Sequence, residues 1–177
     1  RCAHFFGNDN NGTIKAFRYD VDSVVYDCWK ALPRDETFNS FNWRRKEFSS
    51  LNGHGNARAL ARLFGCIANG GEINGARLAS PTTIADVTRQ HWEGTDRFAD
   101  SPGRFNAGCQ MSNELSPFGG LRHNFGFYGI GGSVGFCDPV NKIGFGYCCN
   151  KAITGSAGTS RLSVGLTDAL YDALKAL

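Results

Sequence analysis

The chain has 177 residues, enough for one compact domain that buries about 70% of the surface its unfolded form would expose. It is 41% hydrophobic and 20% charged, which is typical of a folded globular protein and argues against disorder. The net charge is only +3 and the one basic run is Arg44–Lys46, so we expect a solvated face there and no nucleic-acid partner.

Three segments in the first half of the chain have helical patterns. Ser23–Leu32 carries apolar residues at helical spacing and predicts a short helix, which a loop over Pro33–Asn42 follows. The strongest helix pattern spans Gly55–Asn69, where apolar residues recur at steps of three and four. Ser80-Pro81 supplies a capping hydroxyl before a proline, which predicts another helix that ends near Gln90.

After Phe105 the sequence changes to short, aromatic, glycine-rich runs. Turn signals separate these runs, which predict antiparallel strands: FNAGCQM (105–111), FGFYGI (125–130), VGFCDP (134–139) and IGFGYCCN (143–150). Ser163–Leu177 has a leucine-rich apolar stripe and predicts a closing helix. The sequence therefore indicates an α/β (α+β) fold in which an antiparallel sheet is flanked by helices, with residues 1–177 in a single domain. We expect Phe64, Ile67, Phe145 and Leu170 in its core.

The cysteines bear on compartment and cofactors. There are seven, an odd number, and they include no C-x-x-C pair and no compact Cys/His cluster. We therefore expect reduced thiols in a cytoplasmic or organellar, intracellular compartment, with no metal and no cofactor. No apolar run approaches the roughly 20 residues that a membrane span needs, so we expect no membrane partner.

Gly131–Gly135 fits the G-x-S-x-G pattern of a nucleophile elbow, with Ser133 at its centre. An elbow needs a strand that enters the serine and a helix that leaves it. Here strand-like residues follow Ser133, then a turn at Asp138-Pro139, and then a further strand-like run. All four histidines precede the serine. The pattern therefore favours a β-hairpin, and we do not expect Ser133 to be catalytic.

Two blocks of sequence resemble the serine β-lactamase-related family, which includes class C-like enzymes, esterases and penicillin-binding relatives. The run GGSVGFCDPVNKIGFGYCCNK (131–151) is similar to the hairpin that follows the active-site strand in the C-terminal core of that family. The run SLNGHGNARALAR (50–62) is similar to its helix entry, and residues 71–81 continue the match. The resemblance covers roughly residues 41–151. It implies that the chain is a C-terminal portion of a β-lactamase/transpeptidase-like domain.

The resemblance also places candidate site residues. Phe127, Tyr128 and Gly129 align with the K-T-G or H-x-G element of the cleft strand, and Phe127 replaces its basic first residue. The backbone N–H of Ile130 would then be an oxyanion donor, a role that any side chain permits. For Phe127 the alternatives are a substrate contact and a buried strand aromatic, and its apolar side chain puts binding of a penicillin-like carboxylate in doubt.

The remaining candidates have structural alternatives. Asn52 and His54 lie in the loop that would approach the cleft, and for His54 a hydrogen-bonding role at the helix entry is favoured over that of a catalytic base. Cys148 is expected to pack in the core. Asp138 and Pro139 are expected to be turn residues.

Neither catalytic motif that the family uses before this region is present. No serine is followed three residues later by lysine, and no tyrosine is followed two residues later by asparagine or serine. The resemblance therefore implies the C-terminal portion of a serine hydrolase that cleaves a small-molecule ester or amide through an acyl-enzyme, inactive alone and with no catalytic residue of its own. The alternative is a non-catalytic, diverged paralogue with a binding or structural role. Whether the chain is part of an enzyme stays open at this point.

Overall fold

A computed structural model of the chain describes residues 26–27, 38–49, 52–97, 100–129, 131–151 and 159–176. We number the elements in these residues in chain order. The helices are α1 (Phe41–Arg45), α2 (Ala57–Ala68), α3 (Pro81–Thr88) and α4 (Arg161–Lys175), with a short 3-10 turn at Phe118–Gly120. The strands are β1 (Glu72–Ile73), β2 (Ala76–Arg77), β3 (Trp92–Asp96), β4 (Ser101–Phe105), β5 (Gln110–Met111), β6 (Phe125–Tyr128), β7 (Val134–Asp138) and β8 (Ile143–Tyr147).

Six of the strands form one antiparallel sheet in the order β3-β4-β5-β6-β7-β8, while β1 and β2 form a separate hairpin. Each strand of the large sheet pairs with the next one in sequence, so short turns suffice to connect most of them. In the β6–β7 hairpin, Phe127 of β6 is paired with Gly135 of β7, and Tyr128 is paired with Val134. The predicted antiparallel sheet with flanking helices is confirmed.

Helix α2 covers one face of the sheet, and glycines let it approach closely. A Cβ on Gly144 would overlap the backbone of Ala61 and Gly65, and a Cβ on Gly146 would lie 2.5 Å from the carbonyl oxygen of Ala57. At Gly144 and at Gly146 these contacts are closer than real Cβ atoms approach other atoms, so any larger residue at either position would push the helix away. The apolar cluster beside this glycine seam contains Phe64 and its neighbours Ala68, Met111, Phe125 and Cys137.

Helix α4 covers the opposite face. Successive residues of a strand point to opposite faces, and Phe136 accordingly packs with Tyr171 of α4 while its neighbour Cys137 packs under α2. Phe118, Tyr128 and Val134 complete the buried part of this second cluster. Phe64 is buried as expected, whereas the other predicted core residues, Ile67, Phe145 and Leu170, are only partly buried at the rims of the two clusters.

Local caps fix the helix starts. Asn56 precedes α2 and its side-chain oxygen accepts from the Ala59 N–H at 2.9 Å, and Ser80 plays the same part before α3 with the Thr83 N–H at 3.1 Å. Ser160 and Ser163 form a capping box at the start of α4. The three helices predicted for these segments are therefore confirmed, with ends within two residues of those expected.

Two sequence predictions need correction or lie outside the described part of the chain. The loop predicted over Pro33–Asn42 is wrong at its end, because α1 begins at Phe41 after the Ser40 hydroxyl accepts from the Trp43 N–H at 3.1 Å. Of the helix predicted over Ser23–Leu32, only Tyr26 and Asp27 are described, and both are helical.

Candidate functional site

The chain leaves β6 through a tight, glycine-rich turn between Gly129 and Ser133. The N–H of Gly129 donates to the carbonyl of Ser133 at 2.7 Å, and the N–H of Gly132 donates back to the carbonyl of Gly129 at 3.0 Å. Gly131 and Gly132 have φ values of 100° and 105°, which side chains with a Cβ rarely adopt. Ile130, the proposed oxyanion donor, lies outside the described residues.

Phe127 and Tyr128, the side chains of the candidate cleft strand, point to opposite faces of the sheet. Phe127 is 58% exposed, so its interpretation as a buried strand aromatic is wrong. The same-face residue Phe125 is buried in the cluster under α2, whereas Phe127, nearer the end of the strand, lies outside that cluster. Its partner across the strand pair is Gly135, which offers no side chain to cover the ring. An apolar ring is therefore presented at the end of β6, beside the glycine turn.

Tyr128 has a different role. Its ring stacks on Phe118 with centroids 4.7 Å apart, and the residue is only 6% exposed. Burial raises the pKa of Tyr128 to about 12, and the negative charge of Asp168 acts in the same direction. The phenol is therefore neutral near pH 7 and unsuited to act as a general base there. Of the candidate strand residues, Tyr128 serves the core.

Ser133 lacks the setting of a nucleophile. It stands directly before β7, and strand rather than helix follows it. Its hydroxyl accepts from the backbone N–H of Cys149 at 3.1 Å. The described histidines are engaged elsewhere or exposed: His91 contacts the carbonyl of Asp86 and His123 contacts the carboxylate of Asp138. The predicted β-hairpin is confirmed.

Asn52 anchors the loop before α2. Its side-chain oxygen accepts from the Phe48 N–H at 3.2 Å, and its amide donates to the carbonyls of Trp43 at 3.0 Å and Lys46. The residue thus ties the loop to the end of α1, which is a structural task.

His54 is exposed and forms no hydrogen bond with the residues that the structure describes. Asn56 occupies the capping position and supplies the acceptor at the start of α2. The hydrogen-bonding role expected for His54 at the helix entry therefore stays a prediction. Its exposed imidazole stands two residues before that cap, on the loop that leads into α2.

The cysteines after β8 behave differently from the sequence expectation. Cys148 is exposed, so its predicted core packing is wrong. Cys149, the next residue, is half-buried, and its thiol lies 3.3 Å from the Ser133 hydroxyl oxygen and 3.2 Å from the carbonyl oxygen of Gly131. The five cysteines in the described ranges, residues 66, 109, 137, 148 and 149, are free thiols.

Asp138 is the turn residue that was predicted, because one carboxylate oxygen accepts from the N–H groups of Val140 and Asn141 at 3.0 and 2.9 Å. It is also fully buried, which the sequence did not indicate. Its other oxygen accepts from the Tyr171 hydroxyl at 2.8 Å, and that hydroxyl accepts from the Asn124 amide at 2.6 Å. Burial alone would raise the pKa of Asp138, but these hydrogen bonds from Asn141 and Tyr171, together with His123, hold it below its usual value.

The polar cluster of Asp138, Tyr171 and Asn124 links the end of β7 to α4. It lies at the end of β7 that is away from the glycine turn, because Asp138 ends β7 whereas Ser133 precedes its start. It stabilises the fold. Within the described ranges, no group of three or more His, Cys, Asp or Glu side chains is arranged to hold a metal ion. No helix in the part of the chain that the structure describes is long and apolar enough to cross a bilayer.

The sheet, with α2 on one face and α4 on the other, defines the class of protein. A crystal structure of a penicillin-binding protein homologue from Caulobacter crescentus matches 97% of this chain and 43% of its own chain, with 30% identity and a TM-score of 0.73. The crystal structure of a family VIII carboxylesterase matches 82% of this chain and 38% of its own, with 32% identity and a TM-score of 0.72. The chain therefore has the fold of β-lactamases and penicillin-binding proteins.

A relative found by sequence narrows the class to a family. The esterase/beta-lactamase LipL of Mycobacterium tuberculosis is 37% identical over 109 residues, which are 61% of this chain and 24% of LipL. No protein-family model matches the chain. The family predicted from the sequence is confirmed: the chain is related to the serine β-lactamase-related hydrolases and esterases. It spans about a quarter of the length of LipL and about two fifths of the two solved structures.

Proposed function

We propose that this chain forms one wall of the active site of a serine hydrolase that cleaves a small-molecule ester or amide. The observation that carries the proposal is the exposed end of β6, where Phe127 stands beside the glycine turn that contains position 130. The backbone N–H of Ile130 would donate to the oxyanion that forms when the carbonyl carbon is attacked. The relatives named as an esterase/beta-lactamase and a carboxylesterase support an acyl-transfer reaction of this kind.

The nucleophile in this proposal comes from residues beyond these 177. A serine hydroxyl attacks the carbonyl carbon, the alcohol or amine leaves with a proton, and water then releases the acyl group as a carboxylic acid. The family motif for such a serine requires a lysine three residues later, and no serine of this sequence has one. Ser133, whose hydroxyl is bonded to the Cys149 backbone, is excluded from this role in the proposal. The 177 residues alone should therefore be inert.

Phe127 sets the expected substrate preference. In the family this position is basic and helps to recognise a substrate carboxylate or shapes the proton network, whereas here an exposed phenyl ring occupies it. An apolar ring gains by contact with an apolar acyl or alcohol group and offers no charge to a carboxylate. We therefore expect a neutral ester to be a better substrate than a penicillin-like carboxylate.

The experiment compares two polypeptides: the 177 residues, and the chain extended by whatever the gene encodes in frame before Arg1. Each is treated with a fluorophosphonate probe, the labelled residue is identified by mass spectrometry, and hydrolysis of p-nitrophenyl butyrate is followed. We expect labelling and hydrolysis only in the extended polypeptide, at a serine outside residues 1–177. Labelling of Ser133 in either polypeptide would overturn the assignment.

A second candidate is a diverged, non-catalytic paralogue with a binding or structural role. The observation that favours it is the presence of Phe127 in place of the basic residue of the family element. A protein that no longer catalyses the reaction would tolerate the loss of that basic residue. The upstream reading frame separates the two. An in-frame S-x-x-K followed by Y-x-N supports the enzyme, while a start codon close to Arg1 supports the paralogue.

A further inference from the structure

The glycine turn after β6 is contacted by one residue of another segment, Cys149. Cys149, which follows β8, contacts the turn through three pairs of atoms. Its backbone N–H donates to the Ser133 hydroxyl oxygen at 3.1 Å, its sulfur lies 3.3 Å from that same oxygen, and its sulfur lies 3.2 Å from the carbonyl oxygen of Gly131. The two residues are 16 positions apart in sequence, so these contacts join separate segments.

The three contacts can form at the same time, because each uses a different hydrogen. The Cys149 N–H donates to the Ser133 oxygen, and the Cys149 S–H donates to the Gly131 carbonyl. The remaining hydrogen, on the Ser133 hydroxyl, can then donate to the Cys149 sulfur, which is a weak acceptor. Ser133 thus accepts one hydrogen bond and donates another, and the two segments share a closed set of polar contacts.

The turn needs such support because of its own composition. Gly129, Gly131 and Gly132 have no side chains that could pack, and glycine loses more conformational freedom on ordering than any other residue. Two backbone hydrogen bonds close the turn, from Gly129 to Ser133 and from Gly132 to Gly129. Two side chains support the described part of the turn: that of Ser133, which is hydrogen-bonded to Cys149, and that of Cys149, whose thiol also contacts the Gly131 carbonyl.

We propose that Ser133 and Cys149 are positioning residues, which together hold residues 129 and 131–133 of the turn and so constrain the backbone on both sides of position 130. We call this pair the turn clamp. The clamp rests on the proposed function only where it assigns the N–H of Ile130 to the oxyanion. The serine that resembles a nucleophile in the G-x-S-x-G pattern instead fixes the geometry of the turn, and the half-buried thiol beside it completes the contact.

The first test measures how accessible the Cys149 thiol is, and it needs no catalytic activity. Trypsin cleavage after Lys142 and Lys151 places residues 148 and 149 on one peptide, so Cys148→Ala is used as the background and Cys149 becomes the one cysteine of that peptide. The rate of iodoacetamide modification is then compared with and without Ser133→Ala. Loss of one ordinary hydrogen bond should raise the rate about fivefold, through more frequent local opening. Ser133→Thr, which keeps the hydroxyl, should restore most of the protection.

Equal modification rates with and without the Ser133 hydroxyl would overturn the clamp. Circular dichroism of each variant shows whether it is folded. If Ser133→Ala does not fold, a second measurement tests the clamp without that variant. Hydrogen exchange of the Gly129 and Gly132 amides is compared in Cys149→Ala and Cys148→Ala. Since Cys148 is exposed and makes none of the clamp contacts, only Cys149→Ala should speed exchange. Equal exchange in the two variants would also overturn the clamp.

The catalytic test uses the extended polypeptide. If the turn positions an oxyanion donor, Cys149→Ala should lower kcat about tenfold with little change in KM, and Cys148→Ala should change neither. Equal kcat values would remove the positioning role and leave the hydrolase function intact. Conversely, an extended polypeptide without activity would refute the proposed function, while the thiol and exchange measurements would still decide whether the clamp exists.

Discussion

The hydroxyl of Tyr171 offers the sharpest test of how α4 is attached to the sheet. It donates to the fully buried carboxylate of Asp138 at 2.8 Å and accepts from the Asn124 amide at 2.6 Å. Tyr171→Phe keeps the ring that packs against Phe136 and removes only these two bonds. A hydrogen bond to a charged group contributes about 1.5–3 kcal/mol, so the variant should lose about 2–3 kcal/mol of unfolding free energy. For a chain of this size that lowers Tm by about 4–12 °C.

The assay is thermal unfolding followed by circular dichroism, with Tyr147→Phe as the matched control. Tyr147 lies in the same cluster, but its hydroxyl forms no hydrogen bond with any residue in the described ranges, so its loss should cost less than about 0.5 kcal/mol. If Tyr171→Phe lowers Tm no more than Tyr147→Phe does, the Tyr171 hydroxyl does not secure α4 to the sheet.

The same variant has a predicted pH dependence. The pKa of Asp138 is lowered in the folded protein, so its ionised form contributes stability above the unfolded value of about 3.9, and this contribution is lost as the pH falls through the lower folded value. The Tm difference between the wild-type chain and Tyr171→Phe should therefore be largest near neutral pH and shrink below about pH 4. A difference that stays constant down to pH 3 would show that the carboxylate is not the partner that matters.

Three further outcomes follow from the fold and the site. Gly144→Ala should lower the free energy of unfolding by more than about 3 kcal/mol, because its methyl group would meet the backbone of α2 rather than a movable side chain. The control Gly108→Ala, where the space is open, should lower it by less than about 1 kcal/mol, and urea unfolding measures both values. Asn56→Ala should cost about 1 kcal/mol, since the cap of α2 loses its acceptor, and Asn56→Asp should recover that loss in the same assay. In the extended polypeptide, Phe127→Lys should raise kcat/KM for a carboxylate-bearing substrate relative to a neutral ester. An unchanged ratio would remove Phe127 from substrate recognition.

The elements that the sequence predicted are those with a strong buried face. Helix α2 shows its apolar residues at steps of three and four because one side of it lies on the sheet, and β6–β8 carry aromatic residues between turn signals. Strands β3 and β4 were missed. Four of the five residues of β3 are exposed, and SPGRF of β4 contains a proline and a glycine, so neither strand has the alternation of a half-buried strand.

At the candidate site, the sequence located the strand and the turn but not the exposure of their side chains. Alternation shows that Phe125 and Phe127 share a face, yet only the fold shows that α2 and its neighbours cover the first and leave the second exposed. Cys149 could not be found from its sequence neighbourhood, since its partners Gly131 and Ser133 are supplied by the preceding hairpin. Burial of Asp138 likewise depends on α4, which is more than 20 residues away in the chain.

The close seam between α2 and the sheet limits how the neighbouring loop can move. Glycine at positions 144 and 146 brings the helix backbone against the strands, so the helix can neither roll nor slide without collision. The loop that enters α2 is attached to this fixed body at Asn56 and to α1 through Asn52, which leaves a span of only three residues between the two anchors. His54 is at the middle of that span. The short span restricts the position of its backbone, so its imidazole can contact only groups that approach the start of α2.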